Sequence, residues 1–159
     1  MKLSVLSLLI LITNFSPGCA DQPPQTGHRI IAAAVRGLLT KSYTGIDYLT
    51  YREGLKAVEA TTAERIDTTP PHLRPQAQHM LAYLRTAAEI LQFQHAHNNI
   101  QSLPADDRRV NAWLERHPFL QIAIGAHTAG RFDFSTALTL LWDQTNEALK
   151  NFQVKSRPL

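Results

Sequence analysis

Cysteine is nearly missing from this 159-residue chain, where Cys19 is the only one. A lone thiol excludes an internal disulfide framework and any zinc site built on cysteine pairs. Charge is also sparse, at 18% of residues with a formal net charge of +3. Arg and Lys stand mostly alone; the one basic pair, Arg108-Arg109, directly follows Asp106-Asp107. That acidic-then-basic order suits a helix start, and there is no basic stripe with interleaved aromatics, so nucleic acid is not an expected partner. GxSxG, HExxH and HxxxH are absent, and Gly37, Gly45, Gly54, Gly125 and Gly130 form no phosphate-cradling loop. No tandem repeat is visible. What remains, with 44% hydrophobic residues, is the composition of a globular chain of one-domain size.

The one long apolar run lies at the N-terminus. "MKLSVLSLLILITNF" sets Lys2 before a nearly unbroken apolar stretch over residues 3–12, and Pro17-Gly18 follows. This is the n-region and h-region pattern of a secretory signal peptide, too short to span a bilayer comfortably as a helix. Behind it, "ADQPPQTG" is polar with two prolines and has the composition of a tether.

The stretch Ser16-Pro17-Gly18-Cys19 resembles the lipobox of bacterial lipoprotein precursors. Gly18 and Cys19 match that pattern; Ser16 and Pro17 depart from its usual residues. The resemblance implies cleavage before Cys19 and a diacylglyceryl group on its thiol, making Cys19 the lipidation site. It also implies a membrane anchor through the N-terminal lipid, and Ala20 after the cysteine points to the outer membrane, facing the periplasm. A conventional cleavage after Ala20 is the alternative, and it would discard the cysteine. The expected organisation is a signal peptide at 1–18, a lipidated cysteine and tether at 19–27, one helical domain at 28–152 and a polar tail at 153–159.

Past residue 27 the periodicity is helical, and no stretch alternates as a strand. The expected fold class is all-α: an irregular bundle of four main helices plus one or two short ones. "HRIIAAAVRGLLTK" aligns Ile30, Ile31, Ala34, Val35, Leu38 and Leu39. A second helix, residues 46–66, aligns Tyr48, Tyr51, Leu55, Val58, Thr62 and Ile66, and the prolines of "TTPP" end it. The third has a seam of Ala77, Leu81, Leu84, Ala88, Leu91, His95 and Asn98, which turns polar where the bundle would open to solvent. "SLPADD" reads as a stop and fresh start, with Ser102 or Asp106 as cap, before Val110, Trp113, Leu114 and His117. "FLQIAIGAHTAG" predicts a short apolar helix. The last helix, capped by Asp133 or Ser135, would bury Leu138, Leu141, Trp142, Thr145, Leu149 and Phe152.

Seven histidines invite a metal test. His95 and His97 are two apart and point about 200° apart on a helix, so they cannot share an ion while that segment is helical. A site would need His95 or His97 with His117 or His127 across helices, and solvated histidines are the plainer account. No metal and no cofactor are expected. Glu53 and Glu89 lie within patterned helices; Glu89 suits an interfacial ion pair with Arg52, Arg85 or a histidine. Tyr48, Tyr51, Tyr83, Trp113 and Trp142 either line a ligand pocket or fill a core, and core is the default at this spacing. The expectation is a non-enzymatic, envelope-tethered helical lipoprotein acting by non-covalent interaction with an envelope protein partner. The alternative is a periplasmic ligand- or metal-binding bundle using His and Tyr residues.

Overall fold

The computed structural model describes residues 26–125 and 129–154. The leader, Cys19, the tether up to residue 25, His127 and the tail from residue 155 lie outside the described residues. The fold is all-α. Helices α1 (Gly27–Tyr43), α2 (Tyr48–Arg65), α3 (Arg74–Ala96) and α5 (Phe134–Val154) form the bundle, and α4 (Arg108–Arg116) is a short fifth helix. Three-residue strands β1 (Ser102–Pro104) and β2 (Arg131–Asp133) flank α4, and 3-10 helices occupy Pro71–Leu73 and Pro118–Ala123. No described helix is long and apolar enough to cross a membrane.

α1 packs on α2 and α5, and α3 packs on the same two, which closes a four-helix ring. Each helix runs opposite to its neighbours. The start of α1 meets the end of α2 where Gly27 lies against Thr68 and the Arg65 carbonyl, and it meets the end of α5 where His28 packs on Phe152, while Tyr43 at the end of α1 donates to Asp143 midway along α5 (2.7 Å). Likewise Tyr48 at the start of α2 packs on His95 near the end of α3, and Phe93 meets Phe134 at the start of α5. The ring order is thus up-down-up-down, with the α3-to-α5 connection enlarged into the β1–α4–β2 insert.

The core explains where single-stripe reading falls short. In α2 the expected Tyr51, Leu55, Val58 and Thr62 are the buried residues. In α1, Ala32 is buried in place of the half-buried Ile30 and Ala34, because α1 faces both α2 and α5. In α3 the predicted seam holds at Ala77, Leu81 and Leu84, but burial then moves to Ala87 and Ile90 and includes Met80 and Thr86. Ala88 and Leu91 are only half-buried, His95 is exposed, and Asn98 lies beyond the helix in the left-handed region (φ 54°). One stripe cannot describe a helix that touches α2, α5 and the insert. In α5, Trp142 is half-buried, while Phe134 and Ala137 join the buried face.

Buried hydroxyls are satisfied locally: Ser42, Thr62 and Thr145 each donate to the carbonyl four residues earlier (2.9, 2.8 and 2.7 Å). The Tyr51 phenol, fully buried, donates to the Leu84 carbonyl on α3 (3.1 Å).

Two local expectations are corrected. "SLP" is a strand, paired antiparallel with "RFD" so that Leu103 faces Phe132. Three residues are too few for alternation to show in sequence; both partners nevertheless bury their central apolar residue. The cap of α4 is Asp107, which accepts from the Arg109 N–H (2.8 Å), rather than Ser102 or Asp106. For α5 the expected Asp133 does the capping, accepting from the Thr136 N–H (2.7 Å), and Ser135 lies inside the helix.

Candidate functional site

α4 is amphipathic over nine residues: Val110 and Trp113 turn inward against the bundle. Arg109 and Arg116, seven apart, share one face. That face lies along the C-terminal half of α3 and leaves a groove of about 340 Å³, lined by Glu89, Gln92, Phe93, Arg109, Trp113 and Arg116. Ala96 and Ala112 also border it, and their short side chains keep it open.

Glu89 is the knot of this groove. Arg116 grips it with both guanidinium nitrogens (Nη1 to Oε1, 2.9 Å; Nη2 to Oε2, 2.5 Å), and the Trp113 indole N–H donates to Oε2 (2.9 Å). The Arg116 hydrogen bonds hold the carboxyl below its ordinary range; burial opposes them, and Trp113 and the Arg116 charge assist. A general acid at neutral pH needs a raised pKa, so Glu89 is suited to bracing α4 on α3 rather than to giving up a proton. The expected partners are corrected: Arg85 pairs instead with Glu59 on α2 (2.6 Å), and Arg116, on an element remote in sequence, takes Glu89. Glu53 is exposed.

Phe93 forms the groove floor. The His97 ring stacks on it (4.0 Å between centroids) and the Arg109 guanidinium carbon lies 4.7 Å from its centroid. Behind the groove, buried His117 bonds to the Thr86 hydroxyl through Nε2 (2.9 Å), with Tyr83 and Phe119 rings against it. Burial pushes its pKa down, the Arg116 charge adds to this, and Glu89 opposes.

The four histidines considered for metal are separate. His95 packs on Tyr48, His97 donates from Nδ1 to the Phe93 carbonyl (2.9 Å), His117 is enclosed beside Thr86, and His127 lies outside the described residues. Among the described residues no three His, Cys, Asp or Glu side chains gather as a metal would need. The five aromatics do not share a pocket either. Tyr51 is core; Trp113 walls the α3–α4 groove; Tyr83 stands with His79 beside α5; and Trp142 packs on Tyr43. Tyr48 lines a second groove of about 320 Å³ with Asp47, Gln94, His95, Asn99 and Gln101. Sequence reasoning missed Arg109, Arg116 and Phe93. Two arginines seven apart around a tryptophan were the available signal, but their partners on α3 come only with the fold. No protein-family model matches the chain, and no characterised protein or solved structure is significantly similar to it.

Proposed function

We propose that this chain is exported, carries lipid on Cys19, and presents its helical bundle in the cell envelope as a non-enzymatic interaction module for a protein partner, using no cofactor. The observation that carries the reading is the order of the N-terminal segments. An apolar leader leads to the chain's only cysteine, and a proline-bearing polar stretch then separates that cysteine from α1 at Gly27. A thiol with no possible internal partner has a use there as an attachment point. Several acyl chains on one residue anchor stably, at ~0.8 kcal/mol per buried CH₂. The paired, ionised Glu89 and the open groove beside it suit recognition.

Metabolic labelling with palmitate, followed by intact-mass analysis of the mature chain, tests this. Acylated Cys19 at the N-terminus is expected, with label lost in Cys19→Ser. A mature chain beginning at Asp21 overturns it. The polar groove at Tyr48 and His95 favours a second reading, a periplasmic bundle that binds a small polar ligand. Co-purification of a stoichiometric small molecule or metal with the mature chain, lost in His95→Ala, would select that reading.

A further inference from the structure

The direction of the bundle gives the tethered domain a front and a back. The starts of α1 and α3 and the ends of α2 and α5 gather at one end: Gly27 lies against Arg65 and Thr68, Arg74 donates to the Thr69 carbonyl (3.1 Å), and His28 packs on Phe152. The tether enters there. The α3–α4 groove lies at the opposite end, with Gln92 ~27 Å along α3 from Arg74 at 1.5 Å per residue. An anchor on Cys19 would thus join the domain at the end away from the groove.

The charges of that groove are unequal. Arg116 is committed to Glu89 through both nitrogens, and Glu89 accepts from Arg116 and Trp113. Arg109 has no such partner. Its nearest acid, Asp107, is 3.6 Å away and already accepts the α4 backbone N–H with its other oxygen. Among the described residues the Arg109 guanidinium makes no hydrogen bond; it rests over Phe93, which His97 and Phe134 hold in place. Five N–H donors on a positioned, half-exposed cation fit a carboxylate. Phe93, Trp113 and the methyls of Ala96 and Ala112 offer apolar contact beside it.

We infer that the α3–α4 groove docks a peptide segment of the envelope partner that carries a carboxylate next to an apolar side chain, with Arg109 taking the carboxylate. The identity of the occupant as an envelope protein rests on the function proposed above. The preference for an acidic segment rests on the charge imbalance of the groove.

The experiment places a photo-cross-linking amino acid at Gln92, and separately at Ala112, in the full-length chain in cells, and maps adducts by mass spectrometry. The expected attachment points lie within two residues of an Asp, a Glu or a C-terminal carboxylate in another protein. Arg109→Glu should lower adduct yield about tenfold, the scale of one charge-assisted hydrogen bond, while Arg109→Lys keeps most of it. Both substitutions are at an exposed position, and unchanged far-ultraviolet circular dichroism should accompany them. Yield unchanged in Arg109→Glu, adducts lacking a nearby carboxylate, adducts only to a second copy of this chain, or no adduct at either position would each overturn the inference. Palmitate labelling of the chain with Cys19 intact, run beside this mapping, separates the two claims. Arg109-dependent adducts in a chain that never carries palmitate keep the groove and remove the anchor; palmitate on Cys19 without such adducts does the reverse.

Discussion

Where α1 starts, Gly27 closes tightly on the end of α2; at the far end two grooves flank α3. At that closed end Thr69, Leu73 and Phe152 are each 1% exposed or less, His28 is buried, and a Cβ on Gly27 would sit 2.5 Å from the Arg65 carbonyl oxygen. Backbone approaches backbone at Gly27. At the far end Tyr43 and Leu49 are exposed, Asn98 and Asn99 turn the chain through the left-handed region, and two grooves flank the last turns of α3. The far end holds the Arg109 guanidinium, which lies over Phe93 without a hydrogen bond among the described residues.

This contrast can be broken at its strongest point first. Truncating Leu73, buried at the closed end, should cost about 3 kcal/mol in urea unfolding, within the range for a fully buried leucine; a loss comparable to that of a surface substitution would show that this end is not packed as described. Gly27→Ala should follow at about 2 kcal/mol, as an overpacked contact that the Arg65 carbonyl cannot yield to cheaply. Trp113→Phe keeps an aromatic ring but loses the pyrrole half of a buried indole and its donor to Glu89, and a loss of about 1–2 kcal/mol is expected. The Arg85–Glu59 pair is more than a third exposed on both sides, so Arg85→Ala should stay within about 0.5 kcal/mol.

Acidity sharpens the same comparison, because the closed end and the wall behind the α3–α4 groove each bury a histidine. Burial lowers the pKa of His28, with Arg29 adding to it, and burial lowers that of His117, with Arg116 adding to it. A folded pKa below the unfolded 6.5 means that the unfolded chain takes up protons first. Stability should therefore be complete above pH 6.5 and decline as pH falls from there to the folded values. Melting temperature measured between pH 7.5 and 5 should show this decline, with His28→Gln and His117→Gln each flattening part of it. A profile that neither substitution alters would contradict the burial of both rings. The depressed Glu89 carboxyl adds a separate loss at lower pH, which begins in the ordinary carboxylate range and is complete once pH has fallen through its folded pKa.

The helices were legible because their signals are local. Tyr51, Leu55, Val58 and Thr62 repeat at three and four, and the same residues are buried in α2. The prolines after α2 and Asp133 before α5 mark boundaries that the fold keeps. The β1–β2 ribbon was not legible, because strands of three residues leave no period to detect and gain their stability from partners about 30 positions away. Glu89 stood out as a charge inside an apolar pattern. Its partner did not, because sequence offered Arg52 and Arg85 nearby while the insert brings Arg116 across 27 positions.

By itself the sequence determined the all-α class, the stop of α2 before its prolines, the Asp133 cap of α5, and the singularity of Cys19 behind an apolar run. These depend on backbone preference, capping and the spacing of apolar residues, which act within a few turns of chain. Only the tertiary structure decided that α3 is shared by α2, α5 and the insert, that Arg116 satisfies Glu89, and that Arg109 is left over Phe93 at the end away from the start of α1. Those outcomes depend on which helix faces meet when the ring closes, and packing between distant segments fixes them where no local rule can.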